Sequence, residues 1–262
     1  MLQPRPGGRG SDPLTVSLRE ALTSTKPAVG GWCVIPGSFT AEVMARAGFD
    51  WVCIDVQHGL IGYQEMLSML QAVGVVGVPA LVRVPWNDPG WIMKALDAGA
   101  AGVIVPMVNS PAEAVAAVGA CRYPPDGYRS WGPTRASLGV ADYSPALANS
   151  SVICAVMVET VPALERLDEI VSVPGVDAVF IGPSDFALSM GFGPRSDEPE
   201  HRRQLEAVPA VCRDHGVVAG IACGSTELLE RWRQAGYTML AAPSDLVTLR
   251  RATAEMLDSV RR

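Results

Sequence analysis

The sequence predicts a single α/β domain, a (β/α)8 barrel of the TIM type, on three observations. Eight short β-branched runs alternate with helical patterns along 262 residues. Gly or Pro punctuates most of the joints, and the polar residues that could do chemistry gather where strands end. A doubly wound sheet would normally stop nearer five or six strands. With 48% hydrophobic residues the chain can bury a barrel-sized core, and no linker divides it.

Each element follows from its pattern. Residues 1–26 are expected to be a flexible leader and a first helix, and 27–262 the barrel. Met1 to Asp12 is rich in Gly, Pro and Arg and lacks the apolar segment of a signal peptide, which points to the cytoplasm. The first strand is read over 29–34 with a helix over 41–47, the second over 51–55 with a helix over 64–73. The third covers 80–84, followed by the helix that contains Lys94; the fourth covers 102–105, followed by a helix over 111–121. An irregular stretch, 123–150, is expected near the catalytic face or at a subunit contact, because structureless loops of that length usually have a function. The fifth strand, 152–158, leads to a helix over 163–171, and the sixth, 178–181, to one over 199–215. The seventh, 217–221, leads to 226–235, and the eighth, 238–241, to 246–260.

Composition narrows the function. A net charge of −6 with pI ≈ 5.1 and scattered basic residues argues against a nucleic-acid partner. No apolar stretch reaches the roughly 18 residues of a membrane span. The six cysteines form no C-x-x-C pair and read as buried thiols in a reducing compartment; Cys223 could line a pocket, but packing is the better reading.

In such a barrel the chemistry sits at the strand exits, which carry Asp55 and His58, Arg83, Glu159 and Asp185 in turn. Two carboxylates at successive strand ends leave an octahedral Mg2+ or Mn2+ positions for water and a chelating substrate; structural zinc would want four Cys or His ligands. The competing reading makes Glu159 and Asp185 a pair of helix N-caps. Arg83 lies in the apolar run Ala80-Leu81-Val82-Arg83-Val84-Pro85 and needs an anion, either the oxygens of a small oxo acid or a structural partner, Asp55 or Glu159. His58 suits proton transfer near neutrality, although a loop histidine taken alone is more often a surface residue. The only lysines are Lys26 and Lys94, neither on a barrel strand, so a Schiff-base mechanism has no candidate.

These residues sit in motifs that resemble the HpcH/HpaI aldolases, the class II pyruvate-dependent enzymes. The motifs are AGFDWVCIDVQHG (47–59), RVPWNDP (83–89), VPMVNSPAEA (105–114), RYPPDGYRS (122–130), VMVET (156–160) and GVDAVFIGPSDFALSMG (175–191). The resemblance covers nearly everything from Gly30 to Leu257. It implies an aldolase that reversibly cleaves a 4-hydroxy-2-oxo acid to pyruvate, or a close analogue, plus an aldehyde, through a metal-stabilised enolate. It further implies Mg2+, Mn2+ or Co2+ on Glu159 and Asp185, Arg83 on the keto oxygen, and the amides of Ser184 and Asp185 on the carboxylate. His58 is then the acid/base and Asp97 its partner. Asp97 lies too far along its helix to reach His58 of the same barrel, so the pairing requires a neighbouring subunit, in the hexamer that the resemblance implies.

Asp55 and Gln57 stand just behind this site. Many relatives carry Glu where this chain has Gln57 and Gln where it has Met157, which bears on the order of metal-bound water. Ala222, where some relatives carry leucine, could widen the aldehyde pocket. Rival readings are an oxo-acid decarboxylase, an acyl-CoA lyase drawing on Arg122, Arg129 and Arg135 for phosphates, and a non-catalytic barrel that binds an oxo acid.

Overall fold

Strand alternation sorts the apolar residues into two layers. Trp51, Cys53, Leu81, Ile104, Ile153, Ala155, Met157, Ala178, Phe180 and Met239 fill the barrel's interior, while the residues between them, such as Val52, Ile54, Val82, Val103, Cys154, Val156 and Val179, face the surrounding helices. The computed structural model describes residues 14–24 and 26–261. Its eight parallel strands close in sequence order, β1 (Ala28–Cys33), β2 (Trp51–Asp55), β3 (Ala80–Arg83), β4 (Gly102–Val105), β5 (Ile153–Val158), β6 (Ala178–Ile181), β7 (Val218–Ala222) and β8 (Met239–Ala241). The predicted barrel is therefore present, with every expected strand within two residues of its observed bounds.

The helices are α1 (Leu14–Thr23), α2 (Ser38–Arg46), α3 (Tyr63–Val76), α4 (Pro89–Asp97), α5 (Pro111–Cys121), α6 (Pro145–Ser151), α7 (Val161–Glu165), α8 (Leu167–Val171), α9 (Pro183–Ser189), α10 (Pro199–Asp214), α11 (Thr226–Gln234) and α12 (Asp245–Arg261). Capping explains several starts. Asp88, Ser110, Ser144, Thr160 and Ser225 each accept a backbone N–H of the following first turn. Close packing fixes others: a Cβ on Gly30 would stand 2.1 Å from the Trp51 ring, so only glycine lets that indole fill the barrel floor.

Four expectations need correction. The helix assigned to the leader belongs to the barrel: Leu18 and Leu22 of α1 are buried with Ala28, Trp51, Ala101 and Ile153, and Arg19 pairs with Asp177 just before β6 (2.7 Å). That helix closes the N-terminal end of the barrel; the leader ahead of it lies outside the described residues. The stretch 123–150 leaves α5 and enters β5, which places it at that same end, away from the strand exits, and it carries α6. The single helix over 163–171 is two, α7 and α8, parted at Arg166. The sequence reading gave no helix over α9, whose seven residues are too few for an amphipathic period to show.

The last helix stands apart. Beyond the buried Asp245, every described side chain of α12 is exposed, including Leu246, Val247, Leu249, Met256, Leu257 and Val260.

Candidate active site

Period-2 alternation also decides which side chains reach the barrel mouth. Trp51 and Cys53 point inward, so Asp55 does too; Leu81 sets the same phase for Arg83, and Ala155 and Met157 set it for Glu159. Polar groups thus enter the site from the ends of β2, β3 and β5.

Asp55 is fully buried and saturated with donors. Oδ1 accepts from Arg83 Nε (2.9 Å) and the backbone N–H groups of Gln57 (3.1 Å) and His58 (3.2 Å). Oδ2 accepts from Arg83 Nη2 (2.5 Å) and Trp32 Nε1 (3.2 Å). Burial opposes the charge on Asp55, yet the hydrogen bonds and charge of Arg83 outweigh it and hold the carboxyl below its usual range. Burial likewise works against the Arg83 cation, and Asp55 more than compensates, raising its pKa. The structural partner foreseen for Arg83 is therefore Asp55. The guanidinium also lies 5.0 Å over the Trp32 ring, which stacks on Phe180 at 5.5 Å. Its Nη1 makes no hydrogen bond among the described residues and remains available to an oxygen of a ligand.

Glu159 is buried with no cation paired to it among the described residues. Its Oε1 accepts the Met107 N–H at 2.8 Å, and Oε2 faces the bare Cα of Gly182, where a Cβ would come within 2.3 Å. Burial raises its pKa to about 7; the Met107 N–H and Arg83 pull it down, and Asp185 pushes it up. Neither Glu159 nor Asp185 is a helix N-cap. Thr160 Oγ1 caps α7, Gly182 precedes α9, and Asp185 is exposed in the first turn of α9, so the competing reading of the two acids fails. The first backbone bond of α9 runs from Phe186 N–H to Gly182 O (3.0 Å), leaving the amides of Ser184 and Asp185 ahead of it.

Among the described residues, Gln57 Oε1 is buried without a hydrogen-bond partner, an acceptor that lacks a donor. His58 is exposed, and its imidazole has no partner among the described residues. Ala222 ends β7 and packs against the interior cluster.

Asp97 is not brought to this site. It ends α4, where Oδ1 accepts from Arg129 Nη2 at 2.6 Å, and Arg129 lies 4.5 Å over the Tyr123 ring. The other loop arginines are also engaged away from the mouth: Arg122 pairs with Asp177 (3.0 Å), and Arg135 Nη1 donates to Ala98 O (2.6 Å).

Among the described residues no group of three or more His, Cys, Asp or Glu could hold a metal. The donor set is thus two carboxylates, Glu159 with an open oxygen and Asp185, close enough to push the pKa of Glu159 up. That suits a hard divalent ion completing its shell with water and substrate.

Sequence reasoning missed Trp32, Met107 and Asn109. Met107 adopts φ 55°, rare for a side chain of its kind, and so turns its N–H onto Glu159. Asn109 holds that turn, donating to Met107 O (2.8 Å) and meeting Thr160 Oγ1 through its Oδ1. The available signal was the Val-Pro-Met-Val-Asn run straight after β4.

Comparison with known proteins shows the family and the fold. The family model described as HpcH/HpaI aldolase/citrate lyase matches residues 35–252. A hydroxypyruvate/pyruvate aldolase of Rhizorhabdus wittichii is 40% identical over 250 residues, covering 93% of this chain and 98% of that protein. A 4-hydroxy-2-oxo-heptane-1,7-dioate aldolase of Escherichia coli is 36% identical over 240 residues, covering 90% of this chain and 91% of that protein. Among solved structures, an HpcH/HpaI aldolase/citrate lyase family protein of Burkholderia cenocepacia superposes with TM-score 0.88 at 33% identity, covering 94% of this chain and 99% of its own.

Proposed function

The chain belongs to the HpcH/HpaI aldolase/citrate lyase family, and from that membership and the chemistry of its barrel mouth we propose a divalent-metal-dependent aldolase, a carbon–carbon lyase that reversibly cleaves a 4-hydroxy-2-oxo acid to pyruvate or a close analogue plus an aldehyde. One observation carries the reading: Glu159 is a buried strand-end carboxylate with no paired cation among the described residues, one oxygen held by Met107 and the other open beside Gly182.

Glu159 and Asp185 would hold the ion, Mg2+, Mn2+ or Co2+, which would polarise the 2-oxo acid's keto group. Arg83, fixed by Asp55, presents its free Nη1 to the keto oxygen, where negative charge develops as the C–C bond breaks. The amides of Ser184 and Asp185 meet the carboxylate. His58, exposed at the strand exits, is the residue that would take a proton from the aldol hydroxyl and return it in the reverse direction. Ala222 borders the space for the aldehyde.

The rival acyl-CoA reading loses its phosphate contacts, because Arg122, Arg129 and Arg135 are engaged away from the strand exits. A site for a second copy of the chain is part of the same proposal: the exposed apolar residues of α12 favour a homo-oligomer, most simply the hexamer of the family resemblance, with Asp97 of a neighbour completing each site. The six cysteines are buried and unpaired, which suits the cytoplasm; no helix among the described residues is long and apolar enough to cross a membrane.

The test is a screen of pyruvate and hydroxypyruvate against a panel of aldehydes, with chelator and with each metal restored. Metal-restored aldol formation supports the proposal. Metal-independent turnover, trapping of pyruvate by borohydride, or decarboxylation without aldol chemistry overturns it.

A further inference from the structure

We propose that His201 is a positioning residue for the cation site: from α10 its ring holds the first turn of α9 and so sets where Asp185 stands relative to Glu159. The inference rests on the reading of those two carboxylates as cation ligands.

Helix α9 cannot place itself. It has seven residues, no side-chain cap, and a first residue, Pro183, that lacks an N–H. Its inner face buries Phe186 and Ala187, but on one flank a recess of about 140 Å3, lined by Val161, Leu164, Glu165, Phe186, Met190 and Gln204, interrupts the packing.

Two tethers remain. At its far end Ser189 Oγ accepts the Val161 N–H (2.9 Å), which ties α9 to the turn that follows Glu159. At its near end His201 Nε2 lies 3.0 Å from Pro183 O. A carbonyl only accepts, so the ring donates from Nε2. The same ring stacks on Phe186 at 5.6 Å and 27°, so it grips α9 on both sides of Asp185 in sequence.

The element that supplies His201 is better fixed than the one it holds. Helix α10 spans 16 residues, His201 is buried in its first turn, and Tyr237 Oη donates to Leu205 O at 2.7 Å one turn later. Pro183 precedes Asp185 by two residues, so a displacement of that turn carries the carboxylate with it.

The experiment is Mn2+ titration of the full-length protein, followed by calorimetry and by the electron paramagnetic resonance signal of free Mn2+. His201→Phe keeps the stack on Phe186 and removes the donor; it should raise the Kd for Mn2+ about tenfold, the range seen when the supports of metal ligands are removed. His201→Gln, whose Nε2 can donate from nearly the same place, should return the Kd to within about threefold of wild type. If His201→Phe does not fold, His201→Leu gives the same donor-free comparison. A donor-free variant with wild-type Mn2+ affinity, while Glu159→Gln abolishes binding, overturns the role of His201 alone. Wild-type Mn2+ affinity in both Glu159→Gln and Asp185→Asn overturns the cation site and this inference together.

Discussion

Arg83 grips Asp55 through two parallel hydrogen bonds, Nε to Oδ1 at 2.9 Å and Nη2 to Oδ2 at 2.5 Å, at the barrel mouth where the carboxylate is fully buried and the guanidinium only partly exposed. The pair keeps Arg83 rigid and leaves one edge of its guanidinium for a substrate oxygen. Lysine offers a single point charge and cannot both bridge the two carboxylate oxygens and reach the ligand. Arg83→Lys should therefore lower kcat by about 10²-fold or more, the cost of removing one preorganised donor to a developing oxyanion. Steady-state kinetics on the best aldol substrate checks this, and an unchanged kcat would remove Arg83 from the chemistry.

Asp55, Arg83 and Glu159 were legible in the sequence because a strand reports its facing by alternation: residues in phase with Trp51, Leu81 and Met157 must point inward. Asp185 was legible only as an acid after a Gly-Pro turn; the helix that carries it is too short to show a period. Trp32 was hidden because an aromatic within an apolar strand reads as packing, and its role depends on Asp55, 23 residues away in sequence. Met107 was hidden because nothing in a methionine announces a positive φ; the hydrogen bonds of Asn109 and Glu159 impose it. The fate of α1 depended on Arg19 meeting Asp177, 158 residues away, and that of the loop arginines on partners 32 to 55 residues away.

Cation binding should depend on pH through Glu159, whose pKa burial raises to about 7. A carboxyl raised in the folded state stabilises the metal-free protein at low pH, and that contribution is lost as pH climbs through about 7, where the buried group ionises. A divalent ion binds the ionised form and restores what is lost. The rise in Tm on adding Mn2+ should then be small near pH 6 and larger near pH 8. Thermal melts across that range, with Glu159→Gln as control, measure it; a shift independent of pH would disconnect Glu159 from the ion.

The unpartnered Oε1 of Gln57 marks a second test. A neutral amide oxygen accepts a hydrogen bond from a bound water less strongly than a carboxylate does, so Gln57→Glu should tighten apparent metal affinity, by up to about tenfold. Calorimetric titration with Mg2+ and Mn2+ decides it. Unchanged or weaker binding would mean that Gln57 does not touch the ion's hydration shell.

Asp97 gives the last prediction, because its own subunit uses only half of it. Arg129 takes Oδ1 at 2.6 Å, at the end of α4 that points away from the strand exits, and the His58 ring has no partner among the described residues of its own barrel. An aspartate with one oxygen held, its side chain still 18% exposed, is fixed in position and open to a second donor from outside the subunit. If that donor is a neighbour's His58, each active site needs two chains. His58→Ala and Asp97→Ala proteins should then each be inactive alone. Dissociated, mixed in equal amounts and reassembled, they should regain roughly a quarter of wild-type activity, since a site has an even chance of drawing each native residue from the correct parent. Sedimentation of the wild type would show the oligomer that the exposed apolar residues of α12 call for. A fully active monomer, or an Asp97→Ala enzyme with unaltered kinetics, would confine Asp97 to its bond with Arg129.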